Sequence, residues 1–209
     1  MKKIKAVIFD MDGVLIDARE WHFESLNKAL NLFGAEITRY DHLTTFDGLP
    51  TKKKLEMLTA VAGFPVGLHQ FVNDLKQQYT MEIVYSNCKP VFQQQYALSR
   101  LKKDGYNLAV CSNSIAKTVE IMMEKSSLLN YLDFFLSNQD VVNGKPDPAI
   151  YNLAISRLGL MPEECLVVED NEHGIRAALD SGAHVLMVDS PDDVHYYNII
   201  DKIKEIENA

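Results

Sequence analysis

Lys5-Ala6-Val7-Ile8-Phe9-Asp10-Met11-Asp12-Gly13 is a short apolar run that stops abruptly at two acids and a glycine. No polar residue alternates within Ala6–Phe9, so the run predicts a strand buried on both faces and then a loop. Runs of the same kind recur at Leu108-Ala109-Val110-Cys111, Leu166-Val167-Val168 and His184-Val185-Leu186-Met187-Val188, with a weaker one at Phe134-Phe135-Leu136. Amphipathic helical stretches lie between them, at Tyr96 to Lys103, Thr118 to Lys125, Ala149 to Leu158 and Ile175 to Asp180. Strands alternating with helices predict an α/β fold, a Rossmann-like doubly wound parallel sheet with helices on both faces. After Ser190 the chain is polar and ends in a predicted helix, Val194 to Ile206.

Residues 16–88 break this rhythm. They hold three helical patterns and no convincing strand. Phe23, Leu26, Leu30 and Phe33 share one face, as do Leu55, Leu58 and Ala62. Leu68, Phe71, Val72, Leu75 and Tyr79 form the clearest helical stripe in the chain. Gly34, Gly48-Leu49-Pro50 and Gly63-Phe64-Pro65 supply the turns. The expected organisation is a core of residues 1–15 and 89–209 and a helical domain of residues 16–88, with hinges near Ile16–Ala18 and Asn87–Pro90.

The chain has 209 residues and a formal net charge of -8, without a long Lys/Arg run, so nucleic acid is not an expected partner. No stretch of about 18 apolar residues exists, so no membrane span is expected. The basic start, Met1-Lys2-Lys3-Ile4-Lys5, reads as the entry to a buried strand, because Asp10 and Asp12 interrupt the apolar run behind it. Cys88, Cys111 and Cys165 show no paired spacing and read as buried thiols in a reducing, cytoplasmic compartment.

Ligands of open parallel sheets bind at the carboxyl ends of the strands, so the residues just after each run are the candidates for chemistry. Asp10 and Asp12 come after the first, and Ser112, Asn113 and Ser114 after the second. Gly144-Lys145-Pro146-Asp147-Pro148 comes after the third, and Glu169-Asp170 after the fourth. Each piece alone has a plain structural reading: loop acids, a turn, a loop before a helix, or acids at a helix start. Together they place acids, hydroxyls and a lysine where they can converge.

In order and spacing these residues resemble the four motifs of the haloacid dehalogenase superfamily. Asp10-Met11-Asp12-Gly13-Val14 resembles the first, Ser112 the second, and Lys145 in its Lys-Pro-Asp-Pro setting the third. Glu169-Asp170 resembles the fourth, continued by Gly174-Ile175-Arg176-Ala177-Ala178 and Ser181-Gly182-Ala183. The helical insert resembles the family's all-helical cap, and the nearest subgroup is that of the beta-phosphoglucomutase-like phosphatases and mutases.

The resemblance implies a phosphatase acting on a small phosphorylated metabolite, a sugar phosphate above all. Asp10 would be the nucleophile that forms an aspartyl phosphate, which divides one difficult displacement into two easier ones. Asp12 would protonate the leaving oxygen and then deprotonate water. Asp10, Glu169 and Asp170, with the Asp12 backbone carbonyl, would hold a hard, oxygen-ligated cation, magnesium by default beside phosphate. Ser112, Asn113, Lys145 and the backbone N–H groups near Met11 and Gly13 would cradle the phosphoryl group. The family's dehalogenases lack an acid at the Asp12 position, which speaks against carbon–halogen cleavage.

Two other activities are weighed. His22 sits where beta-phosphoglucomutases carry a cap histidine, so it is a candidate substrate-binding residue and points to a mutase. Against that, Ala18 and Thr51 replace the threonine and arginine usual in those mutases. Lys52, Lys53 and Lys54, or Lys76, are possible substitutes for the arginine, although a lysine run is more often a solvated helix face. A phosphoaspartate signalling receiver is the distant alternative, disfavoured by chain length, strand placement of the acids and the helical insert. A monomer is the default expectation.

Overall fold

The computed structural model describes residues 3–208, so Met1 and Lys2 of the basic start and the terminal Ala209 lie outside the described residues. The chain divides into two compact units, Met1–Asp17 with Lys89–Ala209, and Ala18–Cys88. Ile16 and Asp17 thus group with the first unit.

The first unit is built on a five-stranded parallel sheet of order β3-β2-β1-β4-β5. The strands are β1 (Ala6–Phe9), β2 (Asn107–Cys111), β3 (Phe134–Leu136), β4 (Cys165–Glu169) and β5 (His184–Met187). β1 is central, pairing Phe9 with Val110 of β2 on one side and with Val168 of β4 on the other. All four of its residues are buried, which is why the run is apolar throughout. From β1 the chain winds outward to β2 and β3, then returns to β4 and β5 on the far side. The carboxyl ends of β1, β2 and β4 therefore flank the point where the winding reverses.

Helices cover the sheet. On one face α7 (Ala149–Leu158) and α8 (Glu172–Asp180) pack Ile150, Tyr151, Ala154, Ile155, Ala177 and Ala178 against Ala6, Ile8, Ala109 and Val167. The alternate strand residues Val7 and Phe9 point to the opposite face. The remaining helices of this unit are α5 (Phe92–Lys103), α6 (Ala116–Lys125) and α9 (Tyr196–Asn208), with α5 packed on β2 and on α9. Every expected strand and helix of the core is present, with ends shifted by a few residues.

The second unit is helical throughout. It comprises α1 (Arg19–Leu30), a short α2 (Arg39–Asp41) running into a π-helical turn at His42–Phe46, α3 (Thr51–Ala62) and α4 (His69–Asn87). Its core joins Leu26, Ala29, Leu30, Ile37, Phe46, Leu55, Leu58, Phe64 and Val72. Three features differ from expectation. Residues 39–46 are helical although no pattern predicts it, and Thr38 caps them by accepting the Asp41 N–H at 3.1 Å. Ala62 is exposed, although its spacing puts it on the inner face. Phe71 is 54% exposed and packs edge-on against Phe33, with ring centroids 6.0 Å apart, outside the core that the stripe predicts.

Candidate active site

β1 ends at Phe9, level with Val110 and Val168, so the next residue, Asp10, stands beside Cys111 and Glu169. Its N–H continues the ladder to the Val168 carbonyl at 3.0 Å. Beyond it the chain turns tightly, with the N–H groups of Leu15 and Ile16 both donating to the Met11 carbonyl at 2.9 Å. The Gly13 N–H, expected to face a phosphoryl group, donates instead to the Ile16 carbonyl at 2.7 Å, because that bond closes the turn. Gly13 has another use. Its φ is +88°, and a Cβ there would lie 2.0 Å from Asp170 Oδ2, so only glycine lets the Asp170 carboxylate come this close.

Lys145 ties the strand ends together. It is 5% exposed, and its ammonium donates to Asp10 Oδ1 at 2.7 Å, the Cys111 carbonyl at 2.8 Å and Glu169 Oε1 at 2.6 Å. All three of its protons are spent. Asn113 positions this lysine. Its side-chain oxygen accepts the Lys145 N–H at 3.0 Å and its amide donates to the Lys145 carbonyl at 3.3 Å. Both ends of the Asn113 side chain are thus engaged with the Lys145 backbone. Ser112, 1% exposed, accepts the Ser114 N–H at 3.0 Å. Ser114 in turn donates its hydroxyl to Asp12 Oδ2 at 3.0 Å, which orients the acid expected to work as acid and base.

Asp10, Glu169 and Asp170 each offer a carboxylate oxygen, all within 4.8 Å of one another, whereas the Asp12 carboxylate stands outside this group. The Glu169 carboxylate also accepts the Asp170 N–H at 3.2 Å and lies against Gly174, where a Cβ would sit 1.9 Å from Oε1. Burial pushes Asp10 well above the usual carboxylate range, Lys145 pulls it back, and Glu169, Asp170 and Asp12 push it up again. Burial alone would lower Lys145, but Asp10 and Glu169 more than offset it and keep it charged. Three acids facing one ammonium leave an excess of negative charge, and the donors are all oxygens. That set fits a hard divalent cation. The thiols Cys88, Cys111 and Cys165 are buried and in no disulfide, and burial holds Cys165 up at about 12, so it is inert as a nucleophile.

Tyr151 escapes the sequence reading, and Gly174 enters it only within the continuation of the fourth motif. Tyr151, fully buried on α7, donates its hydroxyl to Glu169 Oε1 at 2.5 Å. The signal available is a phenol on the apolar face Ile150–Tyr151–Ala154–Ile155, since a buried hydroxyl needs an acceptor. Gly174 carries no signal beyond its place in the fourth motif. His22 belongs to the helical unit. There its Nδ1 lies 3.0 Å from Lys76 Nζ, within hydrogen-bond distance.

Fold and site together define an α/β enzyme with a carboxylate centre at the switch point of its sheet. Comparison with known proteins gives its family. Residues 7–188 match the haloacid dehalogenase-like hydrolases, so the chain belongs to that family and is a hydrolase of its phosphatase type. It is 31% identical over 182 residues to a phosphorylated carbohydrates phosphatase of Thermotoga maritima, covering 86% of this chain and 82% of the relative. It is 30% identical over 190 residues to the pyrophosphatase PpaX of Bacillus velezensis, covering 87% and 81%. A beta-phosphoglucomutase structure from Clostridium difficile superposes with a TM-score of 0.86 at 19% identity, covering 99% of this chain and all of the other. That likeness speaks for the fold.

Proposed function

We propose that the protein is a magnesium-dependent phosphatase of a small phosphorylated metabolite, a sugar phosphate above all, working through an aspartyl phosphate on Asp10. The observation that supports this most is the Lys145 ammonium held between Asp10 and Glu169, with an oxygen of Asp170 inside the same group. An Asp10 carboxylate oxygen attacks phosphorus and the ester P–O bond breaks. Asp12, oriented by Ser114, gives its proton to the leaving oxygen. Asp12 then takes a proton from water, which attacks the aspartyl phosphate, and phosphate leaves with Asp10 restored. Asp10, Glu169 and Asp170 would hold the magnesium, with the Asp12 backbone carbonyl. When bound, it supplies positive charge to the transferring phosphoryl group.

The test is phosphate release from a panel of phosphorylated sugars and inorganic pyrophosphate, with magnesium and with a chelator. Release from one or more sugar phosphates, abolished by the chelator, is the expected result. Turnover of pyrophosphate alone would move the substrate away from sugars, and no release from any compound would reject the reading. A second reading, a sugar phosphomutase, draws support from the His22–Lys76 pair in the helical unit. Its signature in the same panel is isomer formation without phosphate release.

A further inference from the structure

The Lys145 ammonium is shared between two acids, and one of them has a second donor. Glu169 Oε1 accepts a hydrogen bond from the Lys145 ammonium at 2.6 Å and another from the Tyr151 hydroxyl at 2.5 Å. Glu169 is 1% exposed, so no bulk water stands in for either donor. A phenol at this distance from a carboxylate oxygen is the donor of the pair. The Tyr151 ring also lies under the ammonium, 4.8 Å from Nζ to the centroid.

We infer that Tyr151 is a positioning residue of the reaction, acting through Glu169 to keep the Lys145 ammonium on Asp10. A carboxylate that loses a hydrogen-bond donor pulls harder on the donors that remain. Without the phenol, Glu169 Oε1 depends on Lys145 alone and draws it away from Asp10 Oδ1. Asp10 is buried, with carboxylate oxygens of Glu169 and Asp170 within 4.8 Å, so it has the most to lose when the ammonium shifts. The inference rests on the phosphatase reading, because it is the Asp10 nucleophile that the ammonium serves.

Tyr151→Phe isolates the hydroxyl, keeping the ring in the core and under Lys145. In the magnesium-loaded protein kcat should fall about tenfold, the size of effect expected for one hydrogen bond to a charged group, with KM within about twofold. Beryllofluoride, which bonds to a carboxylate oxygen as a phosphoryl mimic, should bind about tenfold more weakly, measured by calorimetry. The melting temperature should move by only about a few degrees. A variant with kcat and beryllofluoride affinity both within twofold of the wild type overturns the inference, whatever its melting temperature.

The Glu169→Gln background gives an independent arm that needs no turnover. There the contest for Lys145 is gone, and, with magnesium raised until the Glu169→Gln protein binds beryllofluoride measurably, adding Tyr151→Phe should change that affinity by less than twofold. A further tenfold loss would show that Tyr151 acts elsewhere and overturn the inference. A wild-type protein that neither releases phosphate nor binds beryllofluoride sinks the phosphatase reading, and the inference with it. A wild type that does both, beside an indistinguishable variant, sinks the inference alone.

Discussion

In the sheet unit the buried side chains that matter are acids, Asp10 and Glu169, sharing Lys145. In the helical unit they are bases, Lys54, Lys76 and His42. The acids hang from strand ends that the sheet brings together, and each is held by donors from other strands and loops. The bases sit on helical segments. Lys76 Nζ lies 3.0 Å from the His22 ring, while burial, and then the Lys54 charge, push His42 below its ordinary value. An acid cluster of this kind is completed by a cation. The two units thus bury opposite kinds of titratable group.

The sharpest way to break this contrast is Asp10→Asn. Turnover should fall by about 10⁴-fold or more, as for removal of a nucleophile, with the fold retained. Retained turnover in the steady-state assay would remove Asp10 from its role. The same change should raise the melting temperature of the chelator-treated protein at neutral pH. Asp10 holds its proton more tightly folded than unfolded. Its contribution to stability is therefore present below the unfolded value near 3.8 and lost as pH rises through the higher folded one. Asparagine has no such loss, so its advantage should grow with pH.

Lys145→Met comes next. It leaves Asp10 and Glu169 buried without their ammonium, at a cost of about 3–5 kcal/mol, measured by urea unfolding in chelator. Lys76→Met removes the contact with the His22 imidazole, and about 1 kcal/mol is expected. Equal costs would erase the distinction between the units. The smallest effect belongs to His42. Its folded value lies below 6.5, so its contribution to stability is present above that pH and is lost as pH falls through the folded value. His42→Phe keeps an aromatic partner for the Phe23 ring, 4.8 Å away, and removes the titration. The variant should lose less stability than the wild type between pH 8 and pH 5, read from melting curves. An unchanged pH dependence would mean that His42 does not titrate on unfolding.

Asp10, Lys145, Glu169 and Asp170 were legible because a parallel sheet fixes where strand ends lie, so residues distant in the chain could be placed together from local patterns alone. Asn113 and Gly13 were legible as members of the site but not in their contacts. Whether a loop amide turns to a ligand or to a neighbouring backbone depends on a few ångströms of loop path. Lys52 and Lys53 are exposed, as expected of a solvated helix face, while Lys54 beside them is 7% exposed. Nothing in three successive lysines distinguishes the third. Phe71 shows the same limit, since helical periodicity names a face but not what covers it.

The apolar runs ending in acids, the order of the motifs and the helical interruption after the first strand determined the fold class, the insertion and the family chemistry. Backbone hydrogen bonding and apolar periodicity are local, and a short window carries them. The sharing of Lys145 between two acids, the phenol of Tyr151 on Glu169 and the room that Gly13 and Gly174 leave for carboxylates were decided only by tertiary structure. Those are distances between segments some 5 to 157 residues apart in the chain, set by side-chain packing to a fraction of an ångström.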